Sequence, residues 1–210
     1  MKKFEKLISL WPLAILIVVS MIAIAPFFNS GFFTMHDDTQ VQRVFEMKKA
    51  LSDGMFPVRW VPDLGYGYGY PIFNFYAPLP YYIGAFISLL GLNVLLATKA
   101  MIAVSIIGSS FSMYVLAKEF WGKFGALFSA ILYLLAPYHG LNTYVRGDVG
   151  ELYVYFFIPL IFYGIWKHYK TENFNYLLIG SLSYAGLITS HNLSAMMVTP
   201  FIILTVLVLS

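Results

Sequence analysis

A histidine and two aspartates stand together at His36-Asp37-Asp38, a few residues beyond the first strongly apolar run of a 210-residue chain. Adjacent like charges cost some free energy, so such a pair usually serves a metal ion, a helix N-terminus or a substrate. A second polar knot lies at 139–151, where Arg146 is followed by Asp148 and Glu151. A fixed cation beside two acids, set between apolar segments, points to substrate chemistry, with a loop-seating ion pair as the plainer reading. His191-Asn192 forms a third, smaller polar break, and a lone histidine there often only satisfies local hydrogen bonds. Between the first two knots lie Arg59 and a glycine-broken run of rings that includes Tyr66, Tyr68, Tyr70 and Tyr76. Alternating Gly and Tyr makes a poor helix. Such rings either form an interfacial aromatic belt or offer stacking platforms for sugar rings and walls for a prenyl chain.

The elements that must position these residues follow from composition. Sixty per cent hydrophobic and 11% charged residues, with a mean hydropathy of +0.74, describe an integral membrane protein. The net charge of +3 is scattered through short polar breaks, which argues against nucleic acid as a partner and leaves membrane lipid as the certain one. The absence of cysteine removes disulfides, thiolate metal sites and thiol chemistry together.

Met1 to Phe28 begins with Lys2, Lys3 and Lys6 and continues apolar from Leu10. Pro26 directly after Ala23-Ile24-Ala25 is a poor context for signal cleavage, and the run is long enough to cross a bilayer, so it reads as a retained anchor. Further apolar stretches run over about 78–97, 98–117, 124–138, 152–166, 176–190 and 194–210. If all of them span, Lys118, Lys123, Lys167 and Lys170 fall outside, against the positive-inside tendency. If Ala77–Ala97 lies at the interface or re-enters, the bias takes the right sign. Pro78, Pro80, Gly84, Gly91 and Asn93 also break that stretch locally. The expected fold is therefore an all-α polytopic membrane protein of about six transmembrane helices, with a cytoplasmic N-terminus. Its first outer loop spans 29–97, its second 139–151, and a third turn falls near 190–192. Residues 1–210 read as one transmembrane domain, the N-terminal part of a longer chain, in the plasma (inner) membrane.

Inside the first outer loop, Thr39-Gln40-Val41-Gln42 fits a capping box, and Val41, Val44, Phe45 and Leu51 supply an apolar face for a short surface helix ending at Asp53-Gly54. Asp37 and Asp38 would then sit at its positive end, where a cap is the plain alternative to chemistry.

These residues carry a resemblance. The lysine-flanked first helix, the early acidic pair, Pro-Leu-Pro-Tyr-Tyr at 78–82, Leu-Ala-Lys-Glu-Phe-Trp-Gly-Lys at 116–123 and Arg-Gly-Asp-Val-Gly-Glu at 146–151 resemble the N-terminal half of polytopic GT-C glycosyltransferases. Tyr68 to Tyr82 together with Ser190-His191-Asn192 resembles, more narrowly, bacterial membrane proteins labelled 6-pyruvoyl-tetrahydropterin synthase-related, relatives of the YfhO type. No soluble pterin-binding domain and no histidine triad of that enzyme is visible in the sequence. The resemblance implies a GT-C-like bundle, a polyprenyl-phosphate-linked sugar donor and transfer to an acceptor on the outer face. It implies Asp37 or Asp38 as the general base, and Asp148 or Glu151 as the second acidic position. His36, Arg59, Arg146, His191 and the tyrosines would be substrate-binding groups, with Arg59 and Arg146 on the phosphate. A metal, Mg2+ or Mn2+ on Asp37 and Asp38, stays open. So do two other classes: a transporter or flippase of lipid-linked intermediates, and a non-catalytic assembly subunit.

Overall fold

In a computed structural model the chain is described over residues 11–32, 34–76 and 78–209, and among these it is all-helical apart from one isolated bridge between Val61 and Tyr70. The basic start at Lys2, Lys3 and Lys6 lies outside the described residues. Helix α1, Trp11–Ala23, ends before Pro26, which joins a 3-10 turn at Ala25–Phe28 because proline lacks the N–H needed to continue an α-helix. Helix α2 spans Gln40–Ser52 and α3 spans Leu79–Leu89. The break expected in Ala77–Ala97 is present, since α3 has 11 residues and Gly91, at φ 112°, turns the chain toward Asn93. The Asn93 side chain accepts from Leu96 N at 2.8 Å and caps the next element.

That element, α4, runs Val94–Leu134 as two helices joined at Gly122, whose φ of 63° is left-handed. The break falls inside the Lys118–Lys123 turn read from the sequence. After it come α5 (Val149–Thr171), α6 (Phe174–Ser190) and α7 (Asn192–Leu209). Three stretches among the described residues are long and apolar enough to cross a membrane: the run from Val94 to Arg146, α5 and α7.

Packing between helices that meet lipid relies on close contact rather than on water exclusion. Accordingly α1 seats Leu16 against Tyr114, Ala117 and Ala130 of α4, with Ser20 Oγ 3.0 Å from Ser110 Oγ. The α5–α6 pair closes over glycines: a Cβ on Gly164 would stand 2.6 Å from the Gly180 nitrogen. The main core gathers Val44 and Met47 of α2, Tyr81 of α3, Met101 and Ile102 of α4 and Tyr153 of α5. Through this core helix α2 is bolted to the bundle. Lys99, 4% exposed, ties the start of α4 to the segment after α1 by donating to the Asn29 carbonyl at 2.6 Å.

Charge separates along α5, whose 23 residues measure about 34 Å at the α-helical rise, close to a hydrocarbon core of about 30 Å. Asp148 caps its first turn, while Lys167 near its far end pairs with Glu119 at 3.2 Å beside the Gly122 break. The acidic loops and the lysine-rich turn therefore occupy opposite ends of the bundle.

Candidate functional site

The site is assembled by two loops that pair through their backbones. His36 N donates to Val145 O and Asp37 N to Arg146 O, each at 2.8 Å, and Gln40 Nε2 donates to Gly147 O at 2.7 Å. Gly147 sits at φ 74°, and a Cβ there would lie 2.2 Å from Met35 Sδ, so both the turn and the close approach require glycine.

On the first loop the Asp37 carboxylate accepts from both Arg43 nitrogens, Nη1 at 3.1 Å and Nη2 at 3.2 Å, and from Gln40 Nε2 at 3.0 Å. Arg43 Nη1 also donates to Tyr81 Oη at 3.0 Å, and Tyr81 donates to Gln40 Oε1 at 2.9 Å. The guanidinium lies 4.1 Å from the Tyr76 ring centroid. Burial opposes the Arg43 charge, yet Tyr81, Asp37 and Tyr76 together hold its pKa above the ordinary arginine value. Burial likewise pushes the Tyr81 hydroxyl up, so it remains a neutral donor.

Sequence reasoning missed Arg43, Gln40 and Tyr81. The expected face of α2 was Val41, Val44, Phe45 and Leu51; the buried face is Gln40, Arg43, Val44, Glu46, Met47 and Ala50. Phe45 is exposed. The i, i+3, i+4 spacing of Gln40, Arg43 and Val44 was the available signal, hidden because two of the three are polar. The capping box does not form either: Thr39 is the N-cap, but its buried hydroxyl has no partner and makes no cap hydrogen bond. Glu46, also inward, has its pKa raised by burial first and by Asp63 second.

On the second loop Pro137–Leu141 forms a short helix and Asn142–Arg146 a π turn, so 139–151 is ordered helical backbone rather than an open loop. Asp148 Oδ1 accepts from Glu151 N at 3.0 Å, an N-cap that the Asp-x-x-Glu spacing could have announced. Arg146 donates at 2.6 Å to Glu151 Oε2 and at 2.6 Å to Tyr138 Oη, and stands 3.6 Å from Asp148 Oδ2. From the α6–α7 turn, His191 Nε2 lies 3.8 Å from the other side of Asp148 Oδ2.

Beside this cluster opens a recess of about 330 Å3, lined in part by Phe75, Tyr76, Tyr81, Asp148, His191 and Asn192. The two loops and the third turn thus bring Asp37, Arg146, Asp148, Glu151, Tyr76 and His191 into one neighbourhood. The other candidates stand elsewhere. His36 and Asp38 are exposed. Arg59 lines a separate groove with Pro57, Phe73 and Tyr82, and Tyr70 lines another with Thr39 and Leu64. Tyr66 and Tyr68, 103% and 88% exposed, form the tip of a tight loop whose Gly65, Gly67 and Gly69 all have positive φ. As a cation site the acidic pair fits poorly, because Asp37 commits both oxygens to Arg43. Among the described residues no group of three or more His, Asp or Glu side chains gathers for a metal.

The bundle and its polar cluster define a membrane protein with an ordered site at one end of its helices. A family model described as "6-pyruvoyl-tetrahydropterin synthase related domain; membrane protein" matches residues 73–210, and the chain belongs to that family. It is similar to an uncharacterized protein of Lactococcus lactis subsp. cremoris (strain MG1363), 25% identical over 201 residues. That match covers 93% of this chain and 33% of the relative, so the chain spans about a third of that protein's length. No solved structure matches it.

Proposed function

We propose that this chain is the N-terminal portion of a GT-C-type membrane glycosyltransferase that moves a sugar from a polyprenyl-phosphate donor to an acceptor outside the cell. In this reading the chain crosses the plasma membrane about six times from a cytoplasmic N-terminus, α3 lies along the outer interface, and the paired loops face outward. The observation that carries it is the pairing of 36–40 with 145–147, which ties the loop of Asp37 to the loop of Arg146 and Asp148 beside a recess that Asp148 lines.

The chemistry is a displacement at the anomeric carbon. The acceptor hydroxyl gives its proton to a carboxylate as its oxygen bonds to that carbon, while the bond to phosphate breaks and polyprenyl phosphate leaves with the electron pair. Asp148 lines the recess and is the base. Asp37, held by Arg43 and Gln40, fixes the loop geometry. Arg146 receives the leaving phosphate, which competes with Glu151 for the same guanidinium fork. No step is routed through a metal.

A transporter would call for ionisable groups or broken helices near the midplane. Here the acids gather at the helix ends, and Lys99 lies within two turns of the α4 start. The test uses the full-length protein in proteoliposomes with a panel of polyprenyl-phosphate sugars. Asp148→Asn is expected to lower transfer about a hundredfold or more while the protein stays folded. Arg146→Ala is expected to weaken donor binding as well. Undiminished transfer in Asp148→Asn and in the Asp37→Asn/Asp38→Asn double variant contradicts the assignment.

A further inference from the structure

We infer that the recess between Tyr76 and His191 binds a single pyranose ring, one of whose hydroxyls bridges His191 and Asp148; this rests on the transferase reading for its role, though not for its chemistry. The argument starts at His191. Its Nδ1 takes the Ser194 backbone N–H at 3.2 Å and lies 2.8 Å from Ser194 Oγ, an arrangement in which Nδ1 is the acceptor and Nε2 carries the N–H. That N–H lies 3.8 Å from Asp148 Oδ2, too far for a direct hydrogen bond. A group that bridges the two from the recess side must accept from the imidazole and donate to the carboxylate. A hydroxyl does both at once, whereas an ionised carboxylate or phosphate only accepts and meets Asp148 as a like charge.

The walls supply the rest of a sugar site. Tyr76 lines the recess with its ring seated over the Arg43 guanidinium, and Phe75 stands beside it, 67% exposed. An aromatic wall facing a carboxylate, an imidazole and the Asn192 amide suits a ring that is apolar on one face and hydroxylated at its edge. The Ser190 hydroxyl, on a residue 2% exposed, adds a buried polar group without a partner at the same wall. About 330 Å3 lies at the small end of ligand pockets, which suits one ring rather than an oligosaccharide.

Ligand-observed saturation-transfer NMR on the full-length protein in nanodiscs provides the test, with methyl glucoside, methyl 2-amino-2-deoxyglucoside, methyl glucuronide and polyprenyl-phosphate glucose as probes. At least one of these rings is expected to bind in the recess. His191→Ala and Leu193→Trp, the second filling the recess from its rim, are expected to weaken binding about tenfold or more. Phe45→Ala, on the exposed face of α2, should leave it unchanged. Binding of the free methyl glycosides assigns the ring to an acceptor; binding only of the polyprenyl-phosphate form assigns it to the donor. No binding by any probe, or binding indifferent to His191→Ala and Leu193→Trp, overturns the inference. Ring binding without transfer in the enzymatic assay retires the transferase reading and leaves the recess standing.

Discussion

Two regions of the segment between α1 and α4 are both rich in polar and aromatic residues and differ completely in what holds them. At the junction, Asp37, Gln40, Arg43 and Tyr81 are tied to one another and to the Gly147 carbonyl 107 residues away from Gln40. In the Tyr66–Tyr70 turn the bonds are local, Tyr68 N to Gly65 O, Gly69 N to Leu64 O, and the Val61–Tyr70 bridge. The junction is rigid because long-range partners over-determine it, and the turn is a self-contained knuckle that displays its rings. Residue type made both look like sites; only sequence-distant contact separates them.

The largest expected effect is at the junction. Arg43→Ala removes the cation from Asp37 and a donor from Tyr81 in a largely buried setting, and is expected to cost about 3 kcal/mol of stability. Thermal unfolding in detergent would show it, and a loss under about 1 kcal/mol would break the contrast. Glycine substitutions sharpen the contrast. Gly147→Ala combines a left-handed φ with a collision against Met35 and is expected to cost about 2 kcal/mol. Gly67→Ala, at φ 86° but with nothing within 4 Å, is expected to cost about 1 kcal/mol. Equal losses at the two positions would mean that the junction is not tightly packed.

Glu46 gives a pH-dependent comparison. Its folded pKa is raised from 4.5, so the folded state holds the proton more tightly than the unfolded chain, and stability falls as pH rises from 4.5 through the folded value. Glu46→Gln is expected to stabilise the protein by about 1 kcal/mol at neutral pH, by relieving a buried charged oxygen, and to match wild type below pH 4.5. A variant less stable than wild type at neutral pH would show that Lys49 fully compensates the charge. The smallest effects belong to Tyr66→Ala and Tyr68→Ala, each expected within about 0.5 kcal/mol because the rings touch little.

These contrasts also explain what the sequence disclosed. Hydropathy and punctuation were enough for α1, for the break in Ala77–Ala97, for the Gly122 turn and for the His191 turn, since prolines, glycines and lysines act locally. Asp37, Arg146, Asp148 and His191 were legible as polar residues near helix ends. Their company was not, because the 36–40 to 145–147 pairing is a tertiary event with no local signature. For the same reason Arg43 drew no notice and Tyr66 passed as a binding group. A polar residue on an amphipathic helix faces solvent by default unless a distant partner claims it.

The pairing of the two loops on the outer side is the claim on which the site depends, and cross-linking tests it most directly. His36 and Val145 are both exposed and share a backbone hydrogen bond, and the 210 residues contain no cysteine to interfere. In the full-length protein carrying His36→Cys and Val145→Cys, mild oxidation is expected to give a reducible cross-link between these positions. Before oxidation both cysteines should react with an impermeant thiol reagent on intact cells, while Lys118→Cys should react only after the membrane is opened. Absence of the cross-link, or labelling of Lys118→Cys from outside without the other two, would contradict the account.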